Sequence, residues 1–339
     1  MELVVRDIHL PLRDPFTTSH GTLTAKHNII VELRADGFCG YGEAAPSLAY
    51  PKQNAEAIRS ALEKVRPLLN SHAFETPDLL WEELHSHLAE NSFALCALDI
   101  AAHDLWGKQQ AAPVWKLWGL KLINLPTSNY TIGLDSIERM ILKMQQAQDW
   151  PVFKIKLGTS EDLEIVRALR QRTAKPFRVD ANTGWSEEQT ICFSPELNRL
   201  DVEFIEQPLP VGQWEEMHRL FDRSTLPLIA DESCQSINDV VRCSECFHGI
   251  NIKLTKAGGM TPAKRMIQQA RSLGLKVMAG CMIESTIAIS ALAQFLPLLD
   301  YVDMDGASLL AGDIAHGVKV TGGQATFPSG NGLGITLTR

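Results

Sequence analysis

The sequence predicts an α/β chain: a barrel of alternating strands and helices over residues 123–312, a smaller α+β domain over 1–122 before it, and a tail over 313–339. Three observations predict this. Five short apolar segments, VFKIK, FRVDAN, VEFIEQP, LPLIADES and GINIKLTK, each end in charged residues and each hand over to a helical segment. Their terminal charges, Lys156, Asp180, Glu206, Asp231 and Lys253, recur about every 25 residues, the length of one strand, loop and helix. The first third of the chain lacks that rhythm and reads as strands followed by helices.

Taken in order, LVVRDIHLPL and NIIVELRADGFCGYGEAAP read as antiparallel strands, with Asp36-Gly37 as a hairpin turn. Between them PFTTSHGTLTAKH, Pro15 to His27, is polar and rich in small residues, and reads as a functional loop. A helix is expected after Pro51, and a second with Thr76 as cap and Pro77 at its first position. The third, SFALCALDIAAHDLWGKQQ, is apolar on more than one face and should be buried. A short helix from Pro113 to Trp118 stops at Gly119. YTIGL is the first barrel strand, and its helix should open at Asp135. Thr159 with Asp162, Ser186 with Gln189 and Ser236 with Asp239 have capping-box spacing or a close relative of it. Thr261-Pro262 reads as another cap and first-position proline. LKVMAGC and DYVDMD are strands seven and eight, separated by one helical stretch, Ser285 to Leu296. VKVTGGQATFP and GITLTR read as a tail returning to the first domain.

A formal charge of −8 with no long basic run argues against a nucleic-acid surface. MELVVRD lacks the form of a signal peptide. The apolar stretch Ile287 to Leu299 is broken by Ser290, Gln294 and Pro297, short of the roughly 18 apolar residues of a membrane helix. Seven scattered cysteines point to a reducing compartment, so a cytoplasmic protein is expected. Cys243 and Cys246 have CxxC spacing but no second pair, and read as two thiols on a helix.

Asp180, Glu206 and Asp231 end three successive strands and put about three negative charges into one pocket mouth, which is costly without a cation. Oxygen ligands alone suit a hard cation, magnesium or manganese. Lys154 and Lys156 are two apart on one strand and share a face, so at least one should reach the barrel mouth. Lys253 ends the strand across the barrel. Two amines facing each other over a metal-bound substrate form a two-base site, in which one removes a proton from carbon and the other returns one on the opposite face. Cationic neighbours should lower the lysine pKa values. Lys256, just beyond Lys253, reads as a surface or supporting residue. A metal on the substrate carboxylate would stabilise the enediolate formed as an α-proton leaves, so the reaction class is proton abstraction α to a carboxylate.

GYGEAAP, ALDIAAHDLWGK, KIK, DANTGW, EQPLP, ADES and NIKLTKAGG, in that order over nearly the whole length, resemble the enolase superfamily, and within it the muconate lactonizing enzyme subgroup. The resemblance implies a (β/α)7β TIM-like barrel under an α+β capping domain, with one Mg2+ per active site on Asp180, Glu206 and Asp231. Lys156 and Lys253 become the acid/base pair. Lys154 and Thr131 are expected at the substrate, and Asn182 and Lys256 behind the ligands. The strand-seven ending AGCMIES has no His, unlike the mandelate racemase branch.

Asp303-Met304-Asp305 resembles the Asp-x-Asp of dipeptide epimerases, which binds the substrate's α-ammonium group. In the Ala-Glu epimerases the capping loop carries an Arg for the glutamate side chain, and Leu23 stands at the corresponding place. Ile283 adds another apolar group, so a dipeptide epimerase for apolar or small side chains is expected, working as a homo-oligomer on a small-molecule substrate. The alternatives are an L-Ala-D/L-Glu epimerase, or an o-succinylbenzoate synthase or N-succinylamino acid racemase, for which Asp303 would serve no purpose. Further off stand a Schiff-base aldolase, which borohydride would trap, and a silent metal-binding barrel, which would exchange no α-proton.

Overall fold

The structure, a computed structural model, describes residues 1–18 and 21–338. The N-terminal sheet is an antiparallel meander of β1 (Glu2–Thr18), β2 (Gly21–Ala35) and β3 (Phe38–Ala44). Helices α1 (Ala55–Ser71), α2 (Pro77–Leu84) and α3 (Ser92–Gln109) cover it. Eight parallel strands then form one sheet in sequence order: β4 (Tyr130–Ile132), β5 (Phe153–Lys156), β6 (Phe177–Asp180), β7 (Val202–Glu206), β8 (Leu228–Ala230), β9 (Gly249–Lys253), β10 (Lys276–Gly280) and β11 (Tyr301–Asp303). Ser128, just before β4, bridges Val302 on β11, so the sheet curls into a nearly closed barrel. Strands buried on both faces read as continuous apolar runs, which is why they were visible in the sequence.

Helix α3 explains its own composition. Ala94, Ala97, Leu98 and Ala101 pack into the core under the sheet, while Cys96 and Ile100 join the barrel core. Two of its carboxylates tie the parts together. Asp99 accepts from the Thr261 backbone N–H and hydroxyl, both at 2.8 Å, and Asp104 accepts from Leu333 N at 2.8 Å and Tyr41 N at 3.0 Å. The chain's last stretch also returns to the segment after α3, where Val114 N donates to Gly332 O at 3.0 Å. Sheet and helix meet so closely that a Cβ on Gly42 would lie 1.9 Å from Ala97 O, backbone against backbone. Gly42→Ala is therefore expected to destabilise by about 3 kcal/mol or more, since such overpacking must move the helix. A denaturant midpoint equal to that of the parent protein would refute this packing.

Several expected boundaries move. The segment Pro15 to His27 is not a free loop: β1 and β2 run through it, with Phe16 opposite Leu23 and Thr18 opposite Gly21. Ser19 and His20, in the same segment, lie outside the described residues. After Pro51 comes a 3-10 turn, Pro51–Gln53, and α1 starts only after Asn54, whose side chain accepts from Ala57 N. The helix after β4 starts one residue later than expected, capped by Ser136, because Asp135 is taken by Arg139 and Lys143. Asp162 accepts from Thr159 N and Oγ1, so it holds the preceding turn, and no box closes over the helix. Ser186 and Gln189 do form the full reciprocal box. Thr261 is inside its helix, Met260–Ser272, since Asp99 claims its hydroxyl. Among the described residues no helix is long and apolar enough to cross a membrane. Cys243 and Cys246 are buried, and their thiols face the carbonyls of Ser233 and Trp214.

Candidate active site

The C-terminal strand ends face a cavity of about 860 Å³, open mouth included, roofed by β1, β2 and the Ser47–Tyr50 segment. Asp180, Glu206 and Asp231 end or follow β6, β7 and β8, and register places Asp180 opposite Glu206. One carboxylate oxygen of each lies within 4.8 Å of the others, and all three residues are buried. Asn251 Nδ2 donates to Glu206 Oε1 at 2.8 Å. Glu206 Oε2 lies 2.8 Å from Lys154 Nζ but without hydrogen-bond alignment, and has no other partner among the described residues. A buried carboxylate oxygen with an idle lone pair, beside two further acids, fits a hard divalent cation.

The amines alternate with the acids. Lys156 Nζ donates to Asp180 Oδ2 at 2.6 Å, and Lys253 Nζ to Asp231 Oδ2 at 2.6 Å. Lys154 and Lys156 do share a face, since both reach Asp180. Lys154 is also bound to Asp303, at 2.9 Å, and is 1% exposed. Lys256 is buried rather than at the surface, donating to the other Asp231 oxygen and to the Asp231 and Asn251 carbonyls. For Lys253 and Lys154 the expected lowering of the pKa is reversed. Burial alone would lower Lys253, but Asp231 together with the acids around it, Glu206 and Glu232, raises it. Lys154, likewise buried, is held well above its ordinary value by Asp303, Glu206 and Asp180. Burial would raise Asp180, yet Lys156 and Lys154 hold it at about 2, while Glu206, buried and beside Asp180, is pushed up to about 6.

Joined to the acid cluster through Lys154, Asp303 and Asp305 gather with Cys281, their ligand atoms all within 4.8 Å. Asp303 accepts from Asn129 Nδ2 at 2.8 Å, and Asp305 from Thr131 N at 2.5 Å. Burial, then the charge of Asp303, pushes Asp305 up to about 8. Asn182 lines the cavity beside Asp180; its N–H donates to Asp180 Oδ1 at 2.9 Å, and its φ of +43° strains the backbone there. Leu23 and Ile283 pack in one apolar cluster with Leu10, Leu12, Phe16 and Leu309, and both line the cavity.

Further participants are not predicted from the sequence. Gln207, with φ +37°, accepts from Asp231 N and Ser233 N at 3.0 Å each, holding the strand-end turn. Arg178 donates to Asn129 Oδ1 at 3.1 Å, which fixes the amide so that its nitrogen faces Asp303. Both belong to quoted motifs or strands, but nothing in composition separates them from packing residues. Tyr50 and Lys26 line the cavity from the capping side, a placement that only the chain's path across the barrel mouth reveals.

Carboxylates and amines at the top of a capped barrel are the arrangement of the enolase superfamily, and the comparisons agree. Residues 1–119 match the mandelate racemase / muconate lactonizing enzyme N-terminal domain, and residues 137–339 the enolase C-terminal domain-like family. The chain belongs to this mandelate racemase / muconate lactonizing enzyme family. It is 48% identical to an L-Ala-D/L-amino acid epimerase of Flavobacterium johnsoniae, over 99% of this chain and 100% of the relative. It is 46% identical to another of that name from a Maribacter species, over 100% of both. The structure of a dipeptide epimerase from Cytophaga hutchinsonii, complexed with Mg and the dipeptide D-Ala-L-Val, is 25% identical and superposes with a TM-score of 0.95, over 99% of this chain and 95% of that one.

Proposed function

We propose that this chain is a magnesium-dependent dipeptide epimerase, an isomerase that inverts the α-carbon next to the C-terminal carboxylate. The observation that carries the reading is the pairing of Lys156 and Lys253 with the first and third acids of one buried three-carboxylate cluster, both amines in a single cavity. Asp180, Glu206 and Asp231 would hold the cation. When bound, the divalent cation supplies positive charge against the substrate carboxylate and competes with the amines for their acids.

The chain's own residues do the rest. One amine, unprotonated, takes the α-proton, breaking C–H and forming N–H. The other, as ammonium, returns a proton to the opposite face, so the enzyme ends with the two protonation states exchanged. Asp303 and Asp305 receive the dipeptide's α-ammonium, while Asn129, Thr131 and Arg178 fix their orientation. Leu23 and Ile283 form an apolar wall for the side chain of the inverted residue. A preference for small or apolar side chains follows, in keeping with relatives named for L-Ala-D/L-amino acids and a neighbour holding D-Ala-L-Val. Seven free cysteines suit a cytoplasmic enzyme, and a homo-oligomer completes the reading.

A dipeptide library incubated in heavy water tests this. Deuterium at the α-carbon of L-Ala-Xaa with small or apolar Xaa is the expected result. Fastest uptake on Ala-Glu with hydrophobic dipeptides inert would rule out the preference, and no uptake on any dipeptide would end the reading. Glu206→Gln removes one charged ligand, so magnesium affinity by calorimetry should fall roughly 100-fold or more, beyond the 10–100-fold typical of losing a ligand's supporting partner. Unchanged affinity would exclude Glu206 as a ligand.

A further inference from the structure

Five lysine side chains stand in or behind the cavity, and one differs from the rest. Lys154, Lys156, Lys253 and Lys256 each have a carboxylate oxygen within 3.1 Å. Lys26 has none within 4 Å among the described residues; its ammonium donates to the Pro46 carbonyl. It is nonetheless 5% exposed and faces the cavity beside Leu23, Met282 and Ile283. The nearest acids, Glu43 and Glu284, act on it only through space. Glu43 is fully occupied by Asn28, Ser285 and Ala288. An ammonium offers three donors, and burying one without a counter-charge is costly unless something else accepts from it.

Local geometry puts it there. In a regular strand Leu23 and Lys26, three apart, would point to opposite faces. Opposite them β1 shifts register, pairing Pro11 with Ala25 and then Phe16 with Leu23, so five steps on β1 match two on β2. Thr24 and Ala25 are both exposed, and Leu23 and Lys26 both turn inward. The same wall thus carries apolar groups and one under-partnered cation.

We propose that Lys26 reads the tip of the substrate side chain, admitting side chains that end in a hydrogen-bond acceptor, a carboxylate or a carboxamide, alongside the apolar ones. This rests on the epimerase reading. The pocket would then be amphipathic: stems pack on Leu23 and Ile283, and an acceptor at the tip meets the ammonium.

The test uses L-Ala-L-Glu, L-Ala-L-Gln and L-Ala-L-Met, of similar length, against the parent enzyme, Lys26→Met and Lys26→Arg. Losing a hydrogen bond to a charged group costs about 1.5–3 kcal/mol, roughly 10- to 100-fold. Lys26→Met is therefore expected to lower the kcat/KM ratio of Gln over Met by at least about tenfold, carried in KM, and Lys26→Arg to keep most of it. The Glu arm separates charge from hydrogen bonding: an equal fall for Glu and Gln assigns recognition of the acceptor alone, and a larger fall for Glu than for Gln shows that charge adds to it. An unchanged ratio, or equal loss on all three substrates, overturns the proposal. The parent enzyme alone also tests it, since discrimination against Gln relative to Met by more than tenfold overturns it whatever the variants do. Calorimetric binding of the three dipeptides with magnesium gives the same ratios even if no α-carbon inverts, so failure of Lys26 and failure of the epimerase reading are separate results.

Discussion

Lys253→Ala and Lys156→Ala are each expected to abolish epimerisation in both directions, a loss of at least the 10²- to 10⁴-fold that a positioned acid or base contributes. Each variant should still exchange the α-proton of one enantiomer with solvent, because the remaining amine still reaches one face. The site survives each change well enough for the result to be read. Without Lys253, Asp231 keeps Lys256; without Lys156, Asp180 keeps Lys154 at 3.1 Å. Magnesium affinity should therefore hold within a few-fold, which distinguishes loss of a base from collapse of the acid cluster. Epimerisation at the parent rate in either variant would refute the two-base assignment. Exchange of the same enantiomer by both variants would place the amines on one side of the substrate and refute it equally.

The barrel was legible because its strand ends break a local rule. A charged residue closing a buried apolar run is unfavourable, and five such breaks at a constant step leave little but a site at a barrel mouth. Register sets Asp180 opposite Glu206, and Asp231, two residues past the Ile229 that faces Glu206, joins them from the turn after β8. The capping arm was less legible. Pro15 to His27 is polar and small, with Pro15, Thr22, Thr24, Ala25 and His27 facing solvent, and that composition hid two strands and the inward turn of Lys26. A register shift leaves no mark on one strand's own sequence, as it depends on the partner. Lys256 stands behind Asp231, one of the two places its position in the sequence allowed, for a related reason. The chain turns helical at Leu254–Ala257 directly after β9, so positions three apart return to one side and Lys256 joins Lys253 on Asp231. The strained backbone of Gln207 and Asn182 likewise follows from tertiary demands at the strand ends.

Asp303→Asn should be nearly as damaging as loss of a lysine, and the pair's protonation gives a second readout. Burial would raise Asp303, but Lys154 with Lys156 and Asn129 lowers it and keeps it ionised; burial and the charge of Asp303 push Asp305 up to about 8. At pH 7 the free pair thus carries mostly one proton, on Asp305. A dipeptide's α-ammonium favours both carboxylates ionised, so binding at pH 7 should release up to about one proton. Release would appear as a dependence of the calorimetric heat on the ionisation enthalpy of the buffer. The sign follows: affinity rises between pH 6 and pH 8 as Asp305 loses its proton before the ligand arrives, and falls above that range as the dipeptide amine, with an ordinary pKa of about 8, loses its own charge. Asp303→Asn removes the ionised partner of a buried cation. Breaking such a pair costs about 3–5 kcal/mol, so KM should rise on the order of 10²- to 10³-fold. Lys154 keeps Glu206 and Asp180 as partners, so magnesium binding should change little. With the negative neighbour gone, Asp305 should titrate lower and the proton release should shrink in step with the affinity. A variant with the parent KM, or binding that takes up a proton at pH 7, would show that the ammonium sits elsewhere and that Asp303 serves only to neutralise Lys154.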